Sequence, residues 1–282
     1  MVYLNLAVNG IVEGLLIGLA ALALNLVFAV GRFPNAATGD FITVGAYAGY
    51  GAQQMGGGAL TQGLAAITAC IAVSLISYFA VFRRLVGRPM VAAMLASIGV
   101  AFFCRSVLSL WVGHDTQFFR MPAPSAIQIG ALRLQSLDLW LALIAAACAL
   151  GALGILRFTP IGRQMRAIAD NLTLAQASGV RSRRVMVALW SLVGIVCGIS
   201  GVLIGMRTSV SPEMGWGLLL PAFAAAVLGG VGSPAGAVLA GIMLGIVQEL
   251  STPWLGFSYK IGLSFVALAV MLVVRPQGLF GF

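Results

Sequence analysis

The chain has 282 residues, of which 61% are hydrophobic and only 8% charged, with 36 glycines outside that hydrophobic total. Soluble domains carry about 25% charged residues, so this composition excludes a soluble enzyme, a disordered chain and a secreted disulfide scaffold. It points instead to an all-α polytopic membrane protein, with lipid around most of the surface and every backbone polar group satisfied within helices. The net charge of +9 does not imply nucleic-acid binding: 15 of the 16 cations are arginines, nearly all in short connectors between apolar runs, with no interleaved aromatics.

A helix crosses the ~30 Å hydrocarbon layer with about 20 residues. Apolar runs at residues 9–30, 35–54, 60–82, 91–112, 137–156 and 185–206 predict six spans, the second rich in glycine. The first has no positive n-region or A-x-A stop and is expected to be retained as an anchor. Residues 113–136 are a polar, proline-containing connector, and residues 157–184 a longer one with six arginines. The pattern then breaks up. Residues 218–228 are too short to span, Gly229 to Pro234 interrupt them, 235–250 resume, and 258–274 form the last span. About eight transmembrane segments, with broken or re-entrant helices, are expected in a single domain over residues 1–282.

Alternating the connectors between sides places Arg32, Arg83, Arg84, Arg88, Arg157, Arg163, Arg166, Arg181, Arg183, Arg184 and Arg275 together. Arg120, Arg133, Arg207 and Lys260 fall on the opposite side. The positive-inside rule makes the first side cytoplasmic, with the N-terminus outside and the C-terminus inside.

Two regions look irregular at membrane depth: residues 31–40, running into Gly45-Ala46-Tyr47, and Pro221 through Gly236. Such backbone lines a cavity or packs on protein, and interrupted segments in both halves point to a substrate path. Other glycines, such as Gly10-x-x-x-Gly14-x-x-x-Gly18 and Gly194-x-x-x-Gly198, suit close helix packing. Charges within spans need an account. Asp40 either lines the inner vestibule or caps its helix. Arg105 either snorkels outward or pairs with Glu13 or Glu249.

In the long connector, apolar residues at 161, 165, 168 and 169 have helical spacing; Asp170-Asn171 breaks the helix, 172–178 resume it, and Gly179 stands at a C-cap position. Two short helices there make either a knob for a cytoplasmic partner or an amphipathic surface held by anionic lipid. Cys70, Cys104, Cys148 and Cys197 lie in apolar runs without CxxC spacing and read as buried hydrophobes. The single histidine, His114, excludes HExxH metal sites, and no metal site is expected. There is no GxxxxGK[ST], GxSxG or cysteine–histidine pair, so any ATP is used by a partner chain and covalent catalysis is unsupported.

Several motifs, in order, carry a resemblance. Arg32-x-x-Asn35-x-Ala37-Thr38-Gly39-Asp40-Phe41 with Gly45-Ala46-Tyr47 resembles an N-F-A-H-G-D…G-A-Y signature. Gly162-Arg163-Gln164-Met165-Arg166-Ala167-Ile168-Ala169 through Ala175 and Gly179 resembles a known ATPase-contacting loop. Val227-Leu228-Gly229-Gly230-Val231-Gly232-Ser233-Pro234 and Arg275-Pro276-Gln277-Gly278-Leu279-Phe280-Gly281 resemble two further motifs. With these, nearly the whole chain resembles the permease subunits of bacterial branched-chain amino-acid ABC importers. It departs at Thr38, where the family has histidine, at Ala36, and at Asn171-Leu172-Thr173-Leu174-Ala175, where the family reads D-P-E-A-A.

The resemblance implies a multi-pass permease of the bacterial inner membrane that is not itself an enzyme. Its partners would be a second permease, two ATP-binding cassette ATPases and an external substrate-binding protein, in contact with membrane lipid and without nucleic acid. The chain itself would bind no cofactor. Asn35, Thr38, Asp40, Thr43, Pro221, Gly230 and Gly232 are then candidates for the substrate path, and Gly162, Arg163, Arg166, Ala175 and Gly179 for ATPase coupling. Relatives with this fold also carry urea or short amides, which leaves the substrate open. The rival readings are a stand-alone secondary transporter or channel, a membrane-embedded transferase, and a packing scaffold.

Overall fold

The computed structural model describes residues 2–121, 126–129, 132–256, 259–275 and 278–280. Ser258 of the expected last span, and Pro276, Gln277 and Gly281 of the closing motif, lie outside the described residues, as does the side chain of Arg133.

Helix α1 (Val2–Gly31) is apolar on every face and buried through most of its length, as suits the centre of a bundle. A non-helical bend and turn, residues 32–36, leads into α2 (Ala37–Gln54). Then come α3 (Ala59–Ala80), a 3-10 turn (Phe82–Leu85) and α4 (Met90–Val112). The connector after α4 holds an antiparallel hairpin, β1 (Ala126–Ile129) with β2 (Leu132–Gln135), which the polar composition did not announce. Helix α5 (Ser136–Phe158) is followed by two short helices, α6 (Pro160–Asp170) and α7 (Leu172–Ala177). Helices α8 (Ser182–Arg207), α9 (Met214–Gly229), α10 (Pro234–Leu255) and α11 (Lys260–Val274) complete the bundle.

The helical membrane-type fold agrees with the sequence reading. Among the described residues six helices are long and apolar enough to cross a membrane, and α9 and α11 are shorter apolar helices. The break expected from Pro221 onward is elsewhere. Helix α9 runs through Pro221 and ends at Gly229, so the irregular backbone is confined to residues 230–233. A proline inside a helix removes one backbone hydrogen bond without obliging the helix to stop, because packed neighbours hold it in place.

Contacts sort the connectors onto two faces. Asn25, near the end of α1, donates to the Gly230 carbonyl, Arg32 donates to the Ala169 and Asp170 carbonyls, and Leu279 N–H donates to Leu228, so these connectors share one face. On the other face Tyr3 packs on Trp254, Arg207 reaches Glu13, and Gln117 pairs with Val210. Among the described residues, nine helices have 15 residues or more.

Glycines set the helix spacing. A Cβ on Gly14 would lie 2.6 Å from the Ile242 backbone, and one on Gly241 2.5 Å from Gly18, so α1 and α10 meet backbone to backbone. Gly194 and Gly198 bring α8 equally close to Ile71 and Ala66 of α3. Gly14→Val is expected to destabilise the fold by about 1–3 kcal/mol or more, because neither backbone can yield. Gly99→Ala, which meets open space, should raise stability by up to about 1 kcal/mol. Thermal unfolding of the two purified variants in detergent checks both.

Candidate functional site

Helix α2 starts inside the bundle rather than at its edge. Asn35, Ala37, Thr38 and Asp40 are at most 1% exposed. The non-helical backbone before α2 is covered by protein and tied at two points. The Asn35 side-chain oxygen accepts from Ala37 N–H at 3.2 Å, and Ala36 N–H donates to Ser97 Oγ of α4 at 3.0 Å.

One turn into α2, Asp40 forms a two-point ion pair with Arg105 of α4, Nε to Oδ1 at 3.1 Å and Nη2 to Oδ2 at 3.2 Å. The guanidinium also lies over the Trp216 ring at 4.9 Å and the Phe102 ring at 5.5 Å. This corrects both charge readings. Asp40 does not cap α2, whose N-cap residue is Ala36. Arg105 neither snorkels nor pairs with Glu13 or Glu249; Glu13 faces Arg207 at 3.5 Å, and Glu249 is paired with Lys260. A carboxylate 1% exposed requires an opposite charge within reach, and α4 packs on α2 where α10 does not.

The same turn of α2 holds α9. Thr43 Oγ1 donates to the Gly39 carbonyl and accepts from Gly215 N–H at 3.1 Å, while Gly39 and Gly215 meet backbone to backbone. Thr38, Leu219 and Ala222 line the closed seam between these helices. Pro221 is buried on α9 beside it. Asn35 Nδ2 and Thr38 Oγ1 are buried with no hydrogen-bond partner, an uncommon state for native polar atoms. Asn35, Thr38, Asp40 and Thr43 therefore gather on one seam. Gly230 and Gly232 sit apart from it. Their positive φ angles, 102° and 88°, form the turn after α9, which is clamped by Asn25 through Gly230 O and Gly232 N–H and packed by Gly278.

The coupling candidates build a second feature. Thr159 caps α6, accepting from Gly162 N–H at 3.1 Å, with Pro160 in the first turn. Gly162 packs against the Leu156 backbone, and Arg166 folds back to the Leu156 carbonyl at 2.8 Å. Asn171 caps α7 through Leu174 N–H. Gly179 (φ 84°) ends α7 in a Schellman turn, with Val180 N–H on Ala175 O and Gly179 N–H on Gln176 O. The predicted pair of short helices is therefore present. Met165, Ile168 and Ala175 are buried against protein, while Arg163 is exposed and Leu172 and Leu174 project outward at 38% and 66% exposure. The apolar face of α6, with Met165 and Ile168, packs on the bundle.

Arg32 joins the two features. It stands at the junction of α1 and the non-helical stretch with φ 58°, and its guanidinium donates to Ala169 O at 2.7 Å and Asp170 O at 3.0 Å at the end of α6. Cations are favoured at such carbonyl-rich helix ends.

Comparison with known proteins settles the family. The family described as "Branched-chain amino acid transport system / permease component" matches residues 6–275. The chain belongs to this family. It is 28% identical to the high-affinity branched-chain amino acid transport system permease protein LivH of Escherichia coli strain K12, covering 99% of this chain and 96% of that one. It is 27% identical to BraD, the corresponding permease of Pseudomonas aeruginosa, with the same coverage. The solved structure of PsaBC from Streptococcus pneumoniae in complex with Fab aligns with TM-score 0.54 and 14% identity, over 95% of this chain and 91% of that one, which shows a shared fold. The permease is a multi-pass membrane protein and a transport subunit rather than an enzyme.

Sequence reasoning missed Asn25, Ser97, Gly215 and Trp216. Asn25 left a signal, a lone amide within an apolar run; the others are common residue types whose roles come only from packing. Arg105→Leu is expected to lower stability by about 3–5 kcal/mol by leaving Asp40 buried without its partner. The double variant Asp40→Asn with Arg105→Gln should recover most of the loss, read as the midpoint of thermal unfolding in detergent.

Proposed function

We propose that the chain is one of two membrane-spanning subunits of an ATP-driven ABC importer, carrying branched-chain amino acids or a related small polar solute handed over by an external binding protein. Two partner ATPases bind and hydrolyse the ATP, and the chain itself carries no cofactor. It resides in the bacterial inner membrane with its N-terminus outside and the arginine-rich face in the cytoplasm. LivH and BraD are named as amino-acid permeases, which favours amino acids over urea or short amides.

The observation that carries this reading is the Arg32 bridge. The knob of α6 and α7 offers exposed Leu172, Leu174 and Arg163 to a cytoplasmic partner. Its far end is bonded to Arg32, which leads within a few residues to Asp40 and the start of α2. Displacing the knob therefore pulls on the seam of α2 with α4 and α9. That seam reaches the surface of the chain only at its edge, where Arg105 keeps 15% side-chain exposure and Trp216 is 39% exposed. A charged group at membrane depth belongs against protein or water rather than lipid, which supports a second permease and a solute path at this position. Partner ATPases that bind two arrangements of the knob unequally would shift the seam between outward and inward access. A stand-alone carrier would use its embedded carboxylates for ion coupling, whereas Asp40, Glu13 and Glu249 are each ion-paired.

Arg32→Ala is expected to leave the partner chains co-purifying while lowering ATP-driven uptake about tenfold, in line with the loss of charge-assisted hydrogen bonds. Uptake in vesicles at the wild-type rate would sink the coupling assignment. Gly179→Arg should abolish coupled uptake with normal membrane insertion, because a bulky side chain at positive φ costs about 1–2 kcal/mol and distorts the knob. Gly179→Asn, which tolerates that conformation, should retain most activity in the same vesicles.

A further inference from the structure

A cavity of about 470 Å³ opens on the arginine-rich face, apart from the seam described above. Its size falls within the roughly 300–1,000 Å³ typical of ligand sites. Its floor is a column of stacked aromatics: Phe33 on Phe82 at 5.2 Å, Phe82 on Trp190 at 4.8 Å, and Trp190 on Tyr78 at 5.9 Å. Trp190, fully buried in this wall, leaves its Nε1–H without an acceptor. Arg32, Arg88 and Arg183 line the cavity, and no acidic residue is among its lining residues. Arg32 is committed to the end of α6, and Arg183 lies over the Phe79 ring at 5.9 Å, leaving both positive charges unneutralised by any carboxylate at this site. The rim between the 3-10 turn and α4 is apolar and open, with Val86 at 63% and Met90 at 47% exposure. That rim continues into α4, whose surface is mostly unburied and is of membrane-spanning length.

The geometry points to a binding site for one anionic phospholipid, its acyl chain on the aromatic floor and its headgroup phosphate between Arg88 and Arg183. An apolar interior with a basic rim fits an amphiphile of that charge, and a mouth bordered by membrane-exposed apolar side chains admits it sideways from the bilayer. Ile168, Leu172 and Gln176 of α6 and α7 form the opposite wall, so the lipid would fill the space behind the coupling knob and brace it. The inference goes beyond the transport reading and does not depend on the direction or substrate of transport.

The natively purified permease, with its co-purifying chains, is reconstituted in phosphatidylcholine vesicles containing a trace of photoactivatable phosphatidylglycerol or photoactivatable phosphatidylcholine, and adducts are mapped by peptide. Phosphatidylglycerol adducts are expected on the cavity-lining residues about fivefold or more above those of phosphatidylcholine. Arg88→Gln with Arg183→Gln, both at the surface, should bring the two lipids level. Ala93→Trp, which fills the cavity from α4, should remove adducts of both. Excess glycerol 3-phosphate should leave labelling unchanged. Equal labelling of the two lipids in the wild type overturns the proposal. So does loss of labelling with glycerol 3-phosphate, which would mean a soluble anion, or cavity adducts that appear only after the ATPase chains are stripped, which would mean that a protein partner fills the space.

Discussion

Backbone-to-backbone contact at glycine is the constraint on which the rest of this structure depends. In lipid, helices gain little hydrophobic energy from meeting one another, so association rests on close packing. Here Gly14 and Gly18 meet Gly241 and Gly245 between α1 and α10, Gly194 and Gly198 seat α8 on α3, and Gly39 meets Gly215 between α2 and α9. Gly45 and Gly201 bring α2 onto α8 in the same way. A side chain at any of these points would push an axis outward. With the helices so near, residues 16–27 of α1 are wholly buried, and the segment after α1 re-enters the bundle and starts α2 where it is already buried.

The early start of α2 has electrostatic consequences. Asp40 lies where water does not reach, and its charge is held by Arg105, which is in turn sandwiched by Phe102 and Trp216. The pair joins α2 to α4, and Thr43 joins α2 to α9. Arg32 carries the connection outward to the end of α6. A continuous set of short-range contacts thus runs from the surface knob to the interior seam without a flexible linker. Such a path can transmit a displacement because packed interiors shift between discrete arrangements rather than deform gradually.

Much of the fold was legible in the residues because membrane spans are long and their apolar composition is unmistakable. The arginine distribution named connectors that share a face, and of residues 31–40, read as irregular, only 32–36 lie outside helices. The two-helix knob was legible in more detail, since Asp170-Asn171 and Gly179 act through local backbone chemistry. What escaped was of two kinds. The 16-residue α9 carries a proline, and its helix runs through Pro221 where the sequence pattern suggested a break. The partners of Asp40, Glu13 and Asn25 also escaped, because helices apolar on all faces have no periodicity to show which side meets which neighbour.

The sequence by itself determined that this is a helical membrane permease, which connectors collect the arginines, and that a capped two-helix knob interrupts the chain before α8. Those properties follow from composition, run length and residue-by-residue conformational preference. Only the tertiary structure decided that Asp40 belongs to Arg105, 65 residues away, that Asn25 clamps a turn 205 residues further on, and that Arg32 ties the knob to the start of α2. The physical reason is that a buried charge or amide is satisfied by whichever group helix packing brings within about 3 Å, and the packing is set by all the glycine contacts together.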